Sequence, residues 1–169
     1  MSSPSSSGLS SSGSSLVALA IPGSLRAAIG EQACAEFPAE CCGYLVGPAG
    51  GDAVDTIVPC RNAQPDGLHP TEPTRGADTG FVIAGSELLA FARTFEGPCP
   101  ARVVYHSHTN GRAYFSAVDR EIAVAGDRPT YDVQHLVVGV TADGVVEAAQ
   151  FAWSADARAY VEVARWSDP

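Results

Sequence analysis

With 169 residues, 46% of them hydrophobic, the chain has material for one domain with its own packed core, and needs no disulfide or metal merely to hold together. Ten basic residues, scattered singly, stand against 19 acidic ones, for a net charge of −9. Such a surface repels phosphate, which argues against nucleic acid and anionic membranes as partners.

Residues 1–15, "MSSPSSSGLSSSGSS", carry almost no bulky apolar groups and are expected to be a disordered tail, leaving 16–169 as the folded domain. "LVALAI" (16–21) is too short to span a bilayer and lacks the positive flank of a signal peptide, so it reads as a first strand. Over 23–37, Leu25, Ala28, Ile29 and Ala33 recur at helical spacing, and Pro38 closes the segment. "CCGYLVG" (41–47) reads as a buried strand, with "AVDTIVP" (53–59) as its partner after a Gly-Gly turn. Pro65, Gly67, Pro70, Pro73 and Gly76 mark 60–77 as a long loop. A loop of that length inside a domain suits a wall or lid over a substrate.

"GFVIAG" (80–85) suggests a short strand, and Leu88, Leu89, Phe91, Ala92 and Phe95 a helix over 85–96. "ARVVYHSH" (101–108) is β-branched and aromatic, hence a strand, followed by a loop (109–115) and a helix (116–126). "VQHLVVGV" (133–140) and "VVEAAQFAW" (145–153) form a hairpin around "TADG", and "AYVEVARW" (159–166) is a final strand. The order β-α-β-β-(β)-α-β-α-β-β-β describes a mixed α/β, or α+β, sheet domain flanked by helices. Five cysteines (Cys34, Cys41, Cys42, Cys60, Cys99) make no C-x-x-C pair; the odd count, with no secretory signal recognised, points to free thiols in a reducing cytoplasm.

The chemistry concentrates in "HSHTNGRAYFSAVD" (106–119). Residues i and i+2 of a strand share a face, so His106 and His108 project two imidazoles side by side, a rigid way to offer two nitrogens to zinc. After seven intervening residues come Ser116 and, three on, Asp119, whose carboxylate on the first turn of a helix can fold back as a third ligand. Three protein ligands leave one position open, the catalytic pattern, in which bound water has a pKa of roughly 7. Ser116 is placed to donate to the oxyanion of a tetrahedral intermediate. Each half also has a structural explanation: H-x-H as polar residues on a solvated face, and S-x-x-D as a capping box. Joined at this spacing, the two halves favour the metal.

The stretch resembles the JAMM (MPN-plus) metalloprotease motif, H-S/T-H, seven residues, S-x-x-D. That family adds an upstream glutamate within P-x-E-x-C-G, and "PAECCG" supplies Pro38, Glu40, Cys42 and Gly43 in that setting. The resemblance spans about residues 16 to 153. It implies a JAMM/MPN, cytidine-deaminase-like mixed sheet with one Zn2+ per chain held by His106, His108 and Asp119. Glu40 would take a proton from water and deliver it to the leaving amine, and Ser116 would support the oxyanion. Alone, Glu40 would read as a solvated charge at a strand entrance.

Within the family the chain is most similar to short bacterial Mec-like members, which act on small ubiquitin-like sulfur-carrier proteins ending in Gly-Gly. An extended tail of that kind suits addition to an open sheet edge beside the site. Thr109 and Phe115 depart from the prolines common at these places; neither is a ligand, and both bear on subgroup and substrate. Two alternatives remain at this stage: a non-catalytic MPN scaffold, against which the intact donor set speaks, and a RadC-like, DNA-repair-associated protein, against which the acidic charge and the glutamate segment speak. Self-association is left open.

Among other candidates, His69 is read as a solvated loop residue that could border the cleft, and His135 as a satisfied core or edge residue. Cys41 and Cys42 are read as small buried hydrophobes rather than nucleophiles, Tyr44 and Tyr105 as packing, and Trp153 and Trp166 as packing at the end of the sheet.

Overall fold

The computed structural model describes residues 16–63, 81–83 and 85–167. In chain order the elements are α1 (Gly23–Glu36), β1 (Cys42–Val46), β2 (Thr56–Cys60), α2 (Gly85–Thr94), β3 (Ala101–His108) and α3 (Ala117–Ala123). They continue as β4 (Val124–Ala125), β5 (Arg128–Pro129), β6 (Gln134–Thr141), β7 (Gly144–Ser154) and β8 (Ala159–Trp166). Six strands form one sheet in the order β2-β1-β3-β6-β7-β8, and β4 pairs with β5 apart from it. The β3–β6 pair is parallel; the other neighbours run antiparallel.

Strand alternation sorts the core into faces. Leu45, Val103, Tyr105, Leu136 and Val138 point to one side and pack under Ile29 and Ala33 of α1. Their neighbours point to the other side. There Tyr44 and Val104 meet Phe91 of α2, and Val137, Ala149 and Phe151 meet Ala123 of α3. The mixed sheet flanked by helices is therefore the observed architecture. β3 is its third strand, largely buried along its length. α1 stops at Glu36 because Phe37, which precedes Pro38, takes an extended conformation (φ −53°, ψ 133°). Tyr44, Tyr105, Cys41 and Cys42 are all core residues, as their setting suggested.

Three local expectations change. Residues 16–21 form no ladder strand; their only strand-like contact is a single bridge, Ala20 to Ala53. Side-chain amides do the holding: Leu19 N–H donates to Gln134 Oε1 (3.1 Å), while Gln134 and Gln150 donate to the carbonyls of Val17 (2.9 Å) and Leu19 (3.1 Å). Residues 81–83 are likewise not a strand, though Val82 accepts from Ala63 N–H (2.8 Å) and donates to Asn62 Oδ1 (3.1 Å). The helix expected to reach 126 ends at Ala123. There the chain enters the β4–β5 hairpin, whose turn uses Gly126 at φ +66°, a conformation glycine adopts without steric cost. The proposed tail (1–15), most of the 60–77 loop and His69 lie outside the described residues.

Candidate metal centre

β3 delivers His106 and His108 to the face shared by α2 and α3. Both rings are buried. Across the parallel pair His108 stands beside Gly139, and that glycine is required: a Cβ there would strike the backbone of Gly111 and Arg112. Gly111 (φ +76°) donates to Val140 O at 3.1 Å, so the chain leaving His108 folds straight back over β6. Phe115 then packs against His135, Phe151 and Tyr160, which sets Ser116 above the sheet.

Ser116 caps α3. Its Oγ accepts from Asp119 N–H (3.1 Å), and its own N–H donates to Asp119 Oδ2 (2.8 Å), a complete capping box. The same carboxylate turns toward the imidazoles. His106 Nε2 lies 3.4 Å from Asp119 Oδ1, His108 Nε2 lies 3.5 Å from Oδ2, and the two Nε2 atoms are 3.1 Å apart. The cap and the three-donor cluster are thus one arrangement.

These donors suit zinc. Zn–N and Zn–O bonds of about 2.0–2.1 Å imply tetrahedral ligand–ligand edges of roughly 3.3 Å. The imidazole pair, at 3.1 Å, and the contacts to the two carboxylate oxygens, 3.4 Å to Oδ1 and 3.5 Å to Oδ2, are of that order, and with one atom taken from each residue the donors lie within 4.8 Å of one another. Burial pushes the His106 imidazole down from its ordinary range, while the Asp119 carboxylate beside it pulls the other way. Burial alone would raise the Asp119 carboxyl. The facing His106 and hydrogen bonds from His106, His108 and Ser116 outweigh it and hold the group well below the usual carboxylate range. Two aromatic rings fix the imidazoles: Phe81 stacks on His106 (4.4 Å between centroids) and Tyr114 tilts against His108 (4.6 Å).

Glu40 lies in the connection just before β1. Cys41 is pinned to Ser107 twice, by Ser107 N–H to Cys41 O (3.1 Å) and Cys41 N–H to Ser107 Oγ (2.8 Å). Glu40, one residue before this pair, is buried. Asn62 Nδ2 holds the Glu40 carbonyl at 2.9 Å. Of the five residues singled out in the sequence, His106, His108 and Asp119 form the donor cluster, Ser116 is hydrogen-bonded to Asp119, and Glu40 is buried in the connection whose next residue, Cys41, hydrogen-bonds Ser107 between the two histidines.

Other features were not anticipated. The histidine strand is interior, with β1 on one side and β6 on the other, so among the described residues no open sheet edge runs beside the imidazoles. At the end of β2, Arg61 N–H donates to the Glu87 carboxylate (3.1 Å) and Ala63 N–H is taken by Val82. His135 is buried, as expected, but its Nδ1 has no hydrogen-bond partner among the described residues, so it is not satisfied. An apolar cleft of about 580 Å³, with Asp119 in its wall, lies between α2, α3 and residues 130–133. No helix among the described residues is long and apolar enough to cross a membrane.

Comparison with known proteins agrees with this picture. The chain is 32% identical over 93 residues to the CysO-cysteine peptidases of Mycobacterium tuberculosis and Mycobacterium bovis, covering 54% of this chain and 56% of theirs. It thus spans a little over half the length of these curated relatives. Solution structures of proteins from Desulfitobacterium hafniense (TM-score 0.57, 21% identity, 84% of this chain and 87% of that one) and Salinibacter ruber (TM-score 0.55, 22% identity, 84% and 86%) share the fold. The family described as prokaryotic homologs of the JAB domain matches residues 22–155, and to that family the chain belongs.

Proposed function

We propose that residues 16–169 form a zinc-dependent metallopeptidase of the cytoplasm, with one Zn2+ held by His106, His108 and Asp119. It hydrolyses the amide bond after the C-terminal Gly-Gly of a small ubiquitin-like sulfur-carrier protein, releasing a residue, an extension or a cysteine adduct. The observation that carries the reading is the buried cluster whose three donor atoms lie within 4.8 Å of one another. Its occurrence in a JAB-family chain, with a buried glutamate, Glu40, next to the Cys41 that hydrogen-bonds Ser107, supports catalysis rather than a structural metal. The carrier substrate is supported by the 32% identity to proteins named CysO-cysteine peptidase.

When bound, zinc supplies Lewis acidity, polarising the scissile carbonyl and acidifying water. The chain's residues supply the rest. Glu40, buried just before β1, takes the proton from the attacking water and returns it to the departing amine. Ser116 Oγ already accepts from Asp119 N–H, so its own O–H proton is available to donate to the developing oxyanion. Asp119, fixed by the capping box, holds its carboxylate toward both imidazoles without loss of helix stability. Glycines before the cut suit a centre walled by Phe81 and Tyr114, where side chains would obstruct approach.

The test is incubation of zinc-loaded protein with a Gly-Gly carrier bearing a C-terminal extension, followed by intact mass. Wild type cuts after Gly-Gly; Glu40→Ala binds zinc at full stoichiometry and does not cut. Undiminished cleavage by Glu40→Ala would overturn the mechanism, and cleavage elsewhere than after Gly-Gly would overturn the substrate.

A further inference from the structure

The cleft with Asp119 in its wall has no role in the chemistry above. Its volume, about 580 Å³, falls within the range of roughly 300–1,000 Å³ typical of ligand sites. Apart from Asp119 its walls are mainly apolar and notably aromatic, with Phe81, Phe91, Tyr131 and Tyr160 among them. Three large hydrophobic side chains that the fold leaves exposed, Leu88 (42%), Ile122 (36%) and Tyr131 (37%), line this same cleft. Exposed apolar groups gathered around one concavity mark a contact site rather than a stray surface residue.

His135 adds a buried polar feature to the cleft. The ring lines the cleft between Phe115 and Tyr160, is only 7% exposed, and carries an Nδ1 with no hydrogen-bond partner among the described residues. A buried polar group left this way is completed by whatever enters.

We infer that this cleft receives an aromatic side chain from the departing segment of the substrate, the residue directly after the scissile bond, with His135 as hydrogen-bonding partner and tyrosine as the best fit. The inference rests on the proposed peptidase reading. Asp119, a donor of the metal cluster, is one of the cleft's lining residues, so an occupant can be attached close to the scissile bond. The two residues before the cut are glycines with nothing to insert. The next residue upstream stands off by roughly 7–10 Å of extended chain. The first side chain available is the one after the cut. Rings on several sides favour an aromatic occupant through edge and face contacts, and a phenol hydroxyl adds the hydrogen bond that a phenyl ring cannot.

The experiment uses zinc-loaded full-length protein and carriers ending in Gly-Gly-Xaa, with Xaa as Tyr, Phe, Leu, Ala or Asp, and compares kcat/KM. Tyr and Phe are expected to exceed Ala and Asp by at least about tenfold, with Tyr ahead of Phe. His135→Leu brings the Tyr/Phe ratio toward one, and Tyr131→Ala weakens the aromatic preference. In parallel, Gly-Gly-Tyr peptide is titrated into Glu40→Ala protein by nuclear magnetic resonance, with shifts expected at Ile122, Tyr131 and His135. Equal cleavage of all five carriers overturns the cleft assignment and leaves the peptidase standing. Peptide shifts at the cleft with no carrier cut would sink the peptidase reading and sustain the cleft as an aromatic site. Absence of shifts at those three residues overturns the assignment whatever the rates.

Discussion

Tyr105 on β3 lies across Gly43 on β1: the two are paired in the ladder, and the phenol ring stands where a side chain on residue 43 would be. The hydroxyl donates to Gln32 Oε1 at 2.6 Å, and Gln32 donates in turn to Cys42 O at 3.2 Å, tying α1 to the strand that leads in from Glu40. The glycine of "ECCG" is therefore a steric requirement. Gly43→Ala is expected to cost about 1–3 kcal/mol by overpacking, and Tyr105→Phe about 1 kcal/mol by loss of one hydrogen bond. Urea denaturation of both variants checks the order; a Gly43→Ala protein as stable as wild type would contradict it.

Metal content separates ligands from supports. Wild type is expected to bind one zinc per chain, and His106→Ala, His108→Ala and Asp119→Asn to lose it. Ser116→Ala should keep the zinc while losing a helix cap that contributes about 1 kcal/mol. Free zinc at a hundred times its dissociation constant stabilises the fold by about 2.7 kcal/mol, so chelation lowers the melting temperature of wild type and leaves His106→Ala unmoved. Elemental analysis and thermal melts read both effects. Full zinc occupancy in Asp119→Asn would remove that residue from the ligand set.

Strands β1, β3, β6, β7 and β8 were legible because each is a β-branched or apolar run bounded by turn residues. Residues 16–21 carry the same signal but lie where the amides of Gln134 and Gln150 replace a ladder, a contact made 115 and 131 positions away. His106, His108, Ser116 and Asp119 were legible because strand alternation and helix capping are local rules. Glu40 needed the family motif, since nothing local distinguishes it from a solvated charge. Phe81, Tyr114 and the cleft gave no sequence signal, because they depend on which aromatic rings the folded sheet brings together.

Acid sensitivity should trace in part to His135. Burial pushes this imidazole from its ordinary 6.5 down to about 3; nearby His106 adds to the effect and Asp119 opposes it. Below pH 6.5 the unfolded chain binds a proton that the folded chain refuses. The contribution to stability is therefore complete above that pH and is lost as pH falls toward 3, with a slope approaching about 1.4 kcal/mol per pH unit. His135→Leu removes this component. Denaturation at pH 7.5, 5.5 and 4.5 should show a shallower decline for the variant, and parallel declines would refute the assignment.

The loop that carries Ser116 is clamped by residues of β7 and β8. Glu147 on β7 accepts from Ala113 N–H at 2.7 Å, and Arg165 on β8 donates to Ala113 O at 2.9 Å while pairing with Glu147 at 2.8 Å. Both polar groups of the Ala113 backbone are thus fixed, three residues before the capping serine. The Ala113 N–H is also the leading reason the Glu147 carboxyl sits below its ordinary range, with the Arg165 hydrogen bond adding to it. The ion pair is partly exposed, so its removal should change global stability by no more than about 1 kcal/mol. Its effect on the metal should be larger, because groups that orient a ligand typically alter affinity by about 10–100-fold. Arg165→Ala and Glu147→Ala are expected to weaken zinc binding about tenfold in a chelator competition. Glu147→Gln retains an acceptor for Ala113 N–H and should lose less. The double variant should lose little more than either single one, since both act through the same peptide unit. Wild-type zinc affinity in Arg165→Ala would mean that Gly111 and Phe115 suffice to position α3, and the clamp would then have no part in assembling the site.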